Sequence, residues 1–212
     1  QFTDPDAKTG QGTYDSNDLK ANKRINGTSL TLSFSGNTIT DSAGTFNNAN
    51  VGDYIVVTGA NNEANNGTHK ITTVTSSTVI VVDTNLTTES NTASCKIQQN
   101  IKGAQGLSLL GDTNSATGTL AVGDYLGVLS GTLTSNQPVQ LVLVTEVSVE
   151  TSGTPNKYSV GIEPKLRQDL ADNQLVKFNN AKGLFRLIEN DVNWSANSTS
   201  VYQISFSCVE AI

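Results

Sequence analysis

Apolar and polar residues alternate with a period of two along much of this chain, the pattern of half-buried β-strands. Leu30, Leu32 and Phe34 take one face of a strand, while Thr31 and Ser33 take the other. The same reasoning predicts strands near 55–57, 70–74, 79–82, 107–109, 126–128, 139–147, 158–162, 184–188 and 201–209. Residues 79–82 form a continuous apolar run, which predicts a strand covered on both sides. In the long strand, Val139, Leu141, Leu143 and Val147 are expected to face one way, with Gln140, Val142, Val144 and Glu146 facing the other. Residues 166–172 are the one stretch where a helical turn is allowed.

Two short words punctuate this pattern, Val51-Gly52-Asp53-Tyr54 and Val122-Gly123-Asp124-Tyr125. Each has an alternating strand upstream, an apolar strand directly after it, and a strand pair beyond. Glycine supplies a turn dihedral that a Cβ resists, and aspartate bonds to nearby backbone to fix the turn. The repeated order predicts an all-β protein with two small barrel or sandwich modules in tandem, over residues 25–99 and 100–177. Residues 1–24 read as a polar, turn-rich extended connector. Asn65-Asn66-Gly67 is a hairpin signal, and turns are expected at Ser152-Gly153-Thr154 and Glu189-Asn190-Asp191.

Residues 178–212 differ. They hold only two clear strands, with Trp194 between them, and an isolated hairpin is marginal. This segment is expected to pair with an N-terminal part, the preceding module or another subunit.

Composition narrows the picture. The 212 residues carry a formal net charge of −6 and only 6% aromatics. A phosphate backbone is repelled on average, so specific nucleic-acid binding is disfavoured. Lys20, Lys23 and Arg24 form the densest basic patch and read as a solvated turn. No apolar run is long enough for a helical membrane span, and no signal peptide is visible. The chain contains no Met and opens on Gln1-Phe2-Thr3, so an N-terminal portion is expected to lie outside it. Cys95 and Cys208 both fall on apolar phases and read as small buried hydrophobes in preference to a disulfide.

Candidate chemistry is sparse. His69 is the only histidine, and it reads as an exposed side chain on the polar phase of its strand. Asp53 and Asp124 are the tempting carboxylate pair, yet each is explained by its turn. Asp169 and Asp172, with Glu163 nearby, lack the spacing of a calcium loop. Gly103-Ala104-Gln105-Gly106 lacks the Lys-Ser/Thr ending of a phosphate loop. Tyr54 and Tyr125 read as barrel-rim packing residues. No enzyme activity, cofactor or metal is expected from these residues.

The order of several segments resembles the distal tail proteins of long-tailed bacteriophages and gene transfer agents. The segments are Leu120-Ala121-Val122-Gly123-Asp124-Tyr125, Ile162-Glu163-Pro164-Lys165-Leu166-Arg167, Ala171-Asp172-Asn173, Lys182-Gly183-Leu184-Phe185-Arg186-Leu187, Trp194, and Ile204 through Ile212. Asp4-Pro5-Asp6-Ala7-Lys8-Thr9, followed by Gly12, is similar to a segment just ahead of the barrel in that family. The resemblance covers roughly residues 100–212 and 2–12. It implies a non-enzymatic virion protein of the tail tip, assembled as a hexameric ring between the tail tube protein and the baseplate hub protein. It also implies that residues 1–24 and 178–212 belong to a tube-like domain built from both chain ends, and that residues 100–177 form a barrel of oligonucleotide-binding-like shape. Residues 25–99 depart from the family as an inserted β module. An alternative is a tail adhesin or carbohydrate-binding module that recognises the host surface through this insert.

Overall fold

The computed structural model describes residues 2–3, 19–111, 120–129, 138–150, 155–178, 181–188, 193–196, 202–205 and 207–210. Expectations for residues 4–18 and for the turns at Ser152-Gly153-Thr154 and Glu189-Asn190-Asp191 lie outside them. Among the described residues, sixteen strands follow in chain order. β1 (Phe2–Thr3) and β2 (Leu19–Ala21) precede β3 (Asn26–Asp41), β4 (Tyr54–Thr58), β5 (Gly67–Ser76) and β6 (Val79–Gln98). β7 (Gly106–Leu110), β8 (Tyr125–Leu129), β9 (Pro138–Glu150), β10 (Lys157–Glu163) and β11 (Leu175–Lys177) come next. β12 (Lys182–Gly183), β13 (Phe185–Leu187), β14 (Asn193–Ala196), β15 (Tyr202–Ser205) and β16 (Cys208–Glu210) complete the order. The protein is all-β.

Six strands close into an antiparallel barrel in the order β10-β7-β2-β11-β8-β9. Its interior holds Leu19, Leu107, Leu109, Leu126, Val128, Val142, Val144, Tyr158 and Val160, all buried. Closure leaves no free sheet edge around these residues. β2 was not anticipated: the expected connector over residues 1–24 contains a barrel strand, and Leu19 and Ala21 are fully buried. Three residues are too few to display alternation, and their partners on β7 lie far along the chain, with Ala21 opposite Leu109.

The phase of β9 also changes along its length. Gln140, Val142 and Val144 are buried inward, but Gly161 of β10 pairs with Glu146 while Ile162 pairs with Val144. The extra residue, Thr145, makes a bulge, so Val147 packs inward next. Strict alternation had put Val147 on the opposite face from Val142 and Val144.

Residues 166–172 form no helix. Leu166 donates its N–H to Ala104 O and Leu170 donates to Asn100 O, at 2.9 and 2.8 Å, so long-range partners replace local ones. The described helical turns are instead two short 3-10 segments, Thr45–Asn48 and Glu63–Asn65.

Between β2 and β7 the chain leaves the barrel and returns. Asn22 still donates to Ser108 O at 2.9 Å, so adjacent strands β2 and β7 are joined by a whole folded module instead of a tight turn. Its strands pair in the order β3-β6-β4-β5, and β6 also pairs with β5. β4, β5 and β6 therefore pair with one another in a closed cycle, which the 20-residue length of β6 permits. Leu32, Phe34, Ile39, Phe46, Ile55, Val57, Ile71, Ile80 and Ile97 fill the module's own core. In the 79–82 run only Ile80 and Val82 are fully covered, while Val79 and Val81 are half-buried.

Candidate functional site

The two repeated words adopt the same hydrogen-bonded device. In the first, Asp53 N–H donates to Asn50 O at 3.1 Å, and Asn50 N–H donates back to the Asp53 carboxylate at 3.0 Å. In the second, Asp124 N–H donates to Ala121 O at 3.2 Å, and Ala121 N–H donates to the Asp124 carboxylate at 2.7 Å. Gly52 and Gly123 have φ of 94° and 96°, values suited to the third position of a type II turn. Each word then swaps two backbone hydrogen bonds with a long strand, Ile71 in one case and Val144 in the other. Val51 and Val122 stand equally exposed at the turn tips, 58% each.

The first word has a second duty at the junction between insert and barrel. Ile55 and Val57 of β4 point into the insert core, while Val56 packs with the barrel cluster. That explains the unbroken apolar triplet: β4 is covered on both faces. Tyr54 lies over Gly106 and approaches Gly161, two positions where a side chain would strike its ring or hydroxyl.

Around this apolar contact sits a polar cluster drawn from five segments. Arg24, in the outgoing link, has 5% of its side chain exposed and pairs with the fully buried Asp53. Its Nε donates to Ser108 Oγ at 3.1 Å and its Nη2 to Ser159 Oγ at 2.9 Å. Ser159 Oγ also bonds to Asp53, and Arg24 Nη1 lies 3.7 Å from Glu150. Burial pushes the Asp53 carboxyl up from its ordinary value, against the pull of Arg24, the Ser159 hydroxyl and the Asn50 N–H. A buried pair of this kind adds little net stability, yet removing one partner is costly. The basic patch at Lys20, Lys23 and Arg24 is thus no solvated turn at Arg24, which is buried in an ion pair. Gln99 and Asn100, buried in the returning link, seal the junction. Gln99 accepts Ile25 N–H at 3.0 Å, and Asn100 exchanges two 2.8 Å hydrogen bonds with the Ser108 backbone. Nothing in their sequence context marked either residue.

A wetter clamp flanks the cluster. Glu146 of β9 accepts from Tyr54 Oη at 2.7 Å and pairs with Lys70 of β5. The Lys70 hydrogen bond, then that of Tyr54, hold its carboxyl below the usual glutamate range, with burial opposing. Burial and the Glu146 hydrogen bond raise the Tyr54 phenol in turn. A carboxylate depressed in the fold contributes stability above its unfolded pKa, about 4.3, and loses it as pH falls through the lower folded value. The urea midpoint of the parent protein should therefore decline more steeply below about pH 4.3 than that of Glu146→Gln, by less than about 1 kcal/mol because both partners are partly exposed. Parallel midpoint curves would remove Glu146 from the account.

The remaining candidates are dispersed. His69 is buried, not exposed: it shares the inward phase of Ile71, and its Nε2 lies 3.1 Å from Asn65 O. Asp169 accepts the Lys102 N–H at 2.7 Å and Asp172 accepts the Lys23 N–H at 3.0 Å, so each holds a loop. Among the described residues no group of three or more His, Cys, Asp or Glu is placed to hold a metal. Cys95 and Cys208 are free thiols, the first buried and the second half-buried. No helix among the described residues is long and apolar enough to cross a membrane.

The chain's two ends form a different kind of surface. β1 pairs with β12, β13 with β16 and β14 with β15, each as a two-stranded sheet. The ribbon is tied to the barrel where Glu210 accepts Leu141 N–H at 2.7 Å and pairs with Arg167 at 2.6 Å. Beyond that tie Leu184, Leu187, Ile188 and Val209 are exposed. Comparison with protein-family models, curated proteins and solved structures found no match for the chain.

Proposed function

We propose that the protein is a structural subunit of a phage-type tail tip, a distal-tail or baseplate ring component that assembles as a hexamer between tail tube and hub. The observation that carries this reading is the set of two-stranded ribbons at 2–3 and 182–210 with their exposed apolar side chains. Two strands alone are marginal in water, and a two-stranded sheet offers edges along which another chain can add strands. The exposed Leu184, Leu187 and Ile188 on one short segment, with Val209 on the strand paired to it, add to the reason for a partner. The pairing of β1 with β12 joins an early and a late segment of the chain, which supports a domain drawn from both. The closed barrel needs no partner of its own, so it suits an outward scaffold that carries the insert. The net charge of −6 favours a conduit past which DNA slides without being gripped.

Negative-stain imaging of the full-length protein, alone and mixed with tail-tube and hub proteins, tests the reading. Six-fold rings that cap tube ends are expected. Monomers under every condition would contradict it, and glycan or cell-surface binding confined to residues 25–99 would replace it with an adhesin. The double variant Leu187→Asp/Ile188→Asp should abolish rings while leaving the barrel folded, because it charges the ribbon and touches neither core.

A further inference from the structure

The junction holds one constellation that neither the fold nor the assembly reading uses. Lys157 and Glu150 are directly opposite on the paired strands β10 and β9, and Lys157 Nζ lies 3.4 Å from Glu150 Oε2. The same oxygen accepts a hydrogen bond from Asn50 Nδ2 of the insert. An amine, a carboxamide and a carboxylate thus share one oxygen, with the amine on the barrel and the carboxamide on the insert. None of the three is there by side-chain chance alone. The strand register fixes Lys157 and Glu150, while the first Gly-Asp turn fixes the Asn50 backbone through two hydrogen bonds to Asp53. All three line a cleft of about 250 Å3 beside Arg24.

We propose that Lys157 and Asn50 join through an intramolecular isopeptide bond, formed without an added reagent and with Glu150 as the proton carrier. Lys157 first gives its ammonium proton to solvent. The neutral Nζ then adds its lone pair to Asn50 Cγ and passes a proton to Glu150 Oε2. The Cγ–Nδ2 bond breaks with its electron pair on nitrogen, which takes that proton and leaves as ammonia. One amide replaces another, no electron is lost or gained, and the carboxylate is regenerated. Placement on one oxygen gathers the amine and the carboxamide around a group suited to general acid–base transfer. Partial exposure of Lys157 and Glu150 gives the departing proton and the ammonia a path to solvent. The product fastens the insert covalently to the barrel.

Peptide-level mass spectrometry of the folded full-length protein, incubated at pH 7, 8 and 9, tests it. The charged groups facing the reaction are Arg24, Glu150 and Lys157, with Asp53 behind Arg24. One branched peptide containing residues 50 and 157, lighter by one ammonia, is expected. Its rate of formation should rise from pH 7 to pH 9, because only the neutral amine is a nucleophile. Glu150→Gln should slow it by about a hundredfold or more, the usual worth of a positioned proton carrier. Lys157→Arg keeps the charge beside Glu150 and should give no link while staying folded. A parent protein that stays folded at pH 9 without the branched peptide, or a link that forms equally fast in Glu150→Gln, would overturn the proposal.

Discussion

Asp53→Asn should be among the most damaging single substitutions in the chain, lowering stability by about 3 kcal/mol, because it leaves the buried Arg24 guanidinium with only the partly exposed Glu150, 3.7 Å from Nη1, as a counter-charge. The side chains of Arg24 and Asp53 are 5% and 0% exposed, so water cannot take the lost partner's place. Asparagine can still accept the Asn50 N–H, and the turn itself has a substitute for that bond. The expected loss is therefore electrostatic and located at the junction. A double change, Arg24→Met with Asp53→Leu, should recover most of it, since replacing a whole buried pair by apolar groups of similar size is often close to neutral. Urea denaturation of the parent, both single variants and the double variant gives the coupling between the two sites. Losses that simply add would show that the two residues do not act as a pair.

Gly106→Val should have the second large effect, through packing. Gly106 sits on barrel strand β7 beneath the Tyr54 ring, and a Cβ there would overlap the ring carbons. Tyr54 cannot swing freely, since its hydroxyl is held by Glu146 and the neighbouring Val56 is packed on the barrel core. Forcing extra volume into such a contact costs about 1–3 kcal/mol in a packed interior, and a branched side chain belongs at the upper end. The insert keeps its own core, so undocking should precede its unfolding. Tyr54 fluorescence is masked by the tryptophan, so the readout is amide exchange: protection should fall first at β4 and β7. If protection falls evenly across both cores, Tyr54 is not the docking residue.

Much of this fold can be read from alternation and from two turn words. The Gly-Asp device is local, four residues long and chemically explicit, so its repetition survives in the sequence. What escapes depends on distant partners. Arg24 reads as part of a basic surface patch because its counter-charge and its two serines come from β7, β10 and the first turn. β2 is three residues long and becomes a strand only because β7 and β11 flank it. His69 reads as polar-phase by residue type, although its spacing from Ile71 places both on the buried face. The Thr145 bulge shifts the phase of β9 in mid-strand, and no residue there announces it. The apolar triplet at 55–57 did carry a usable signal, since a strand without a polar phase needs a cover on each side. Its second cover is the barrel, through Val56.

The stability of the ribbon and that of the barrel should differ most when the protein is alone. Barrel strands have both neighbours within the chain, whereas among the described residues the strand pairing of β13 and β16 is with each other. Amide exchange at 185–187 and 208–210, compared between dilute protein and the assembled ring, is the most direct measurement. The account predicts exchange close to that of an open chain in the dilute sample and strong protection in the ring. Strong protection of these amides already present in the dilute monomer would contradict it, because the ribbon would then be complete without a neighbour.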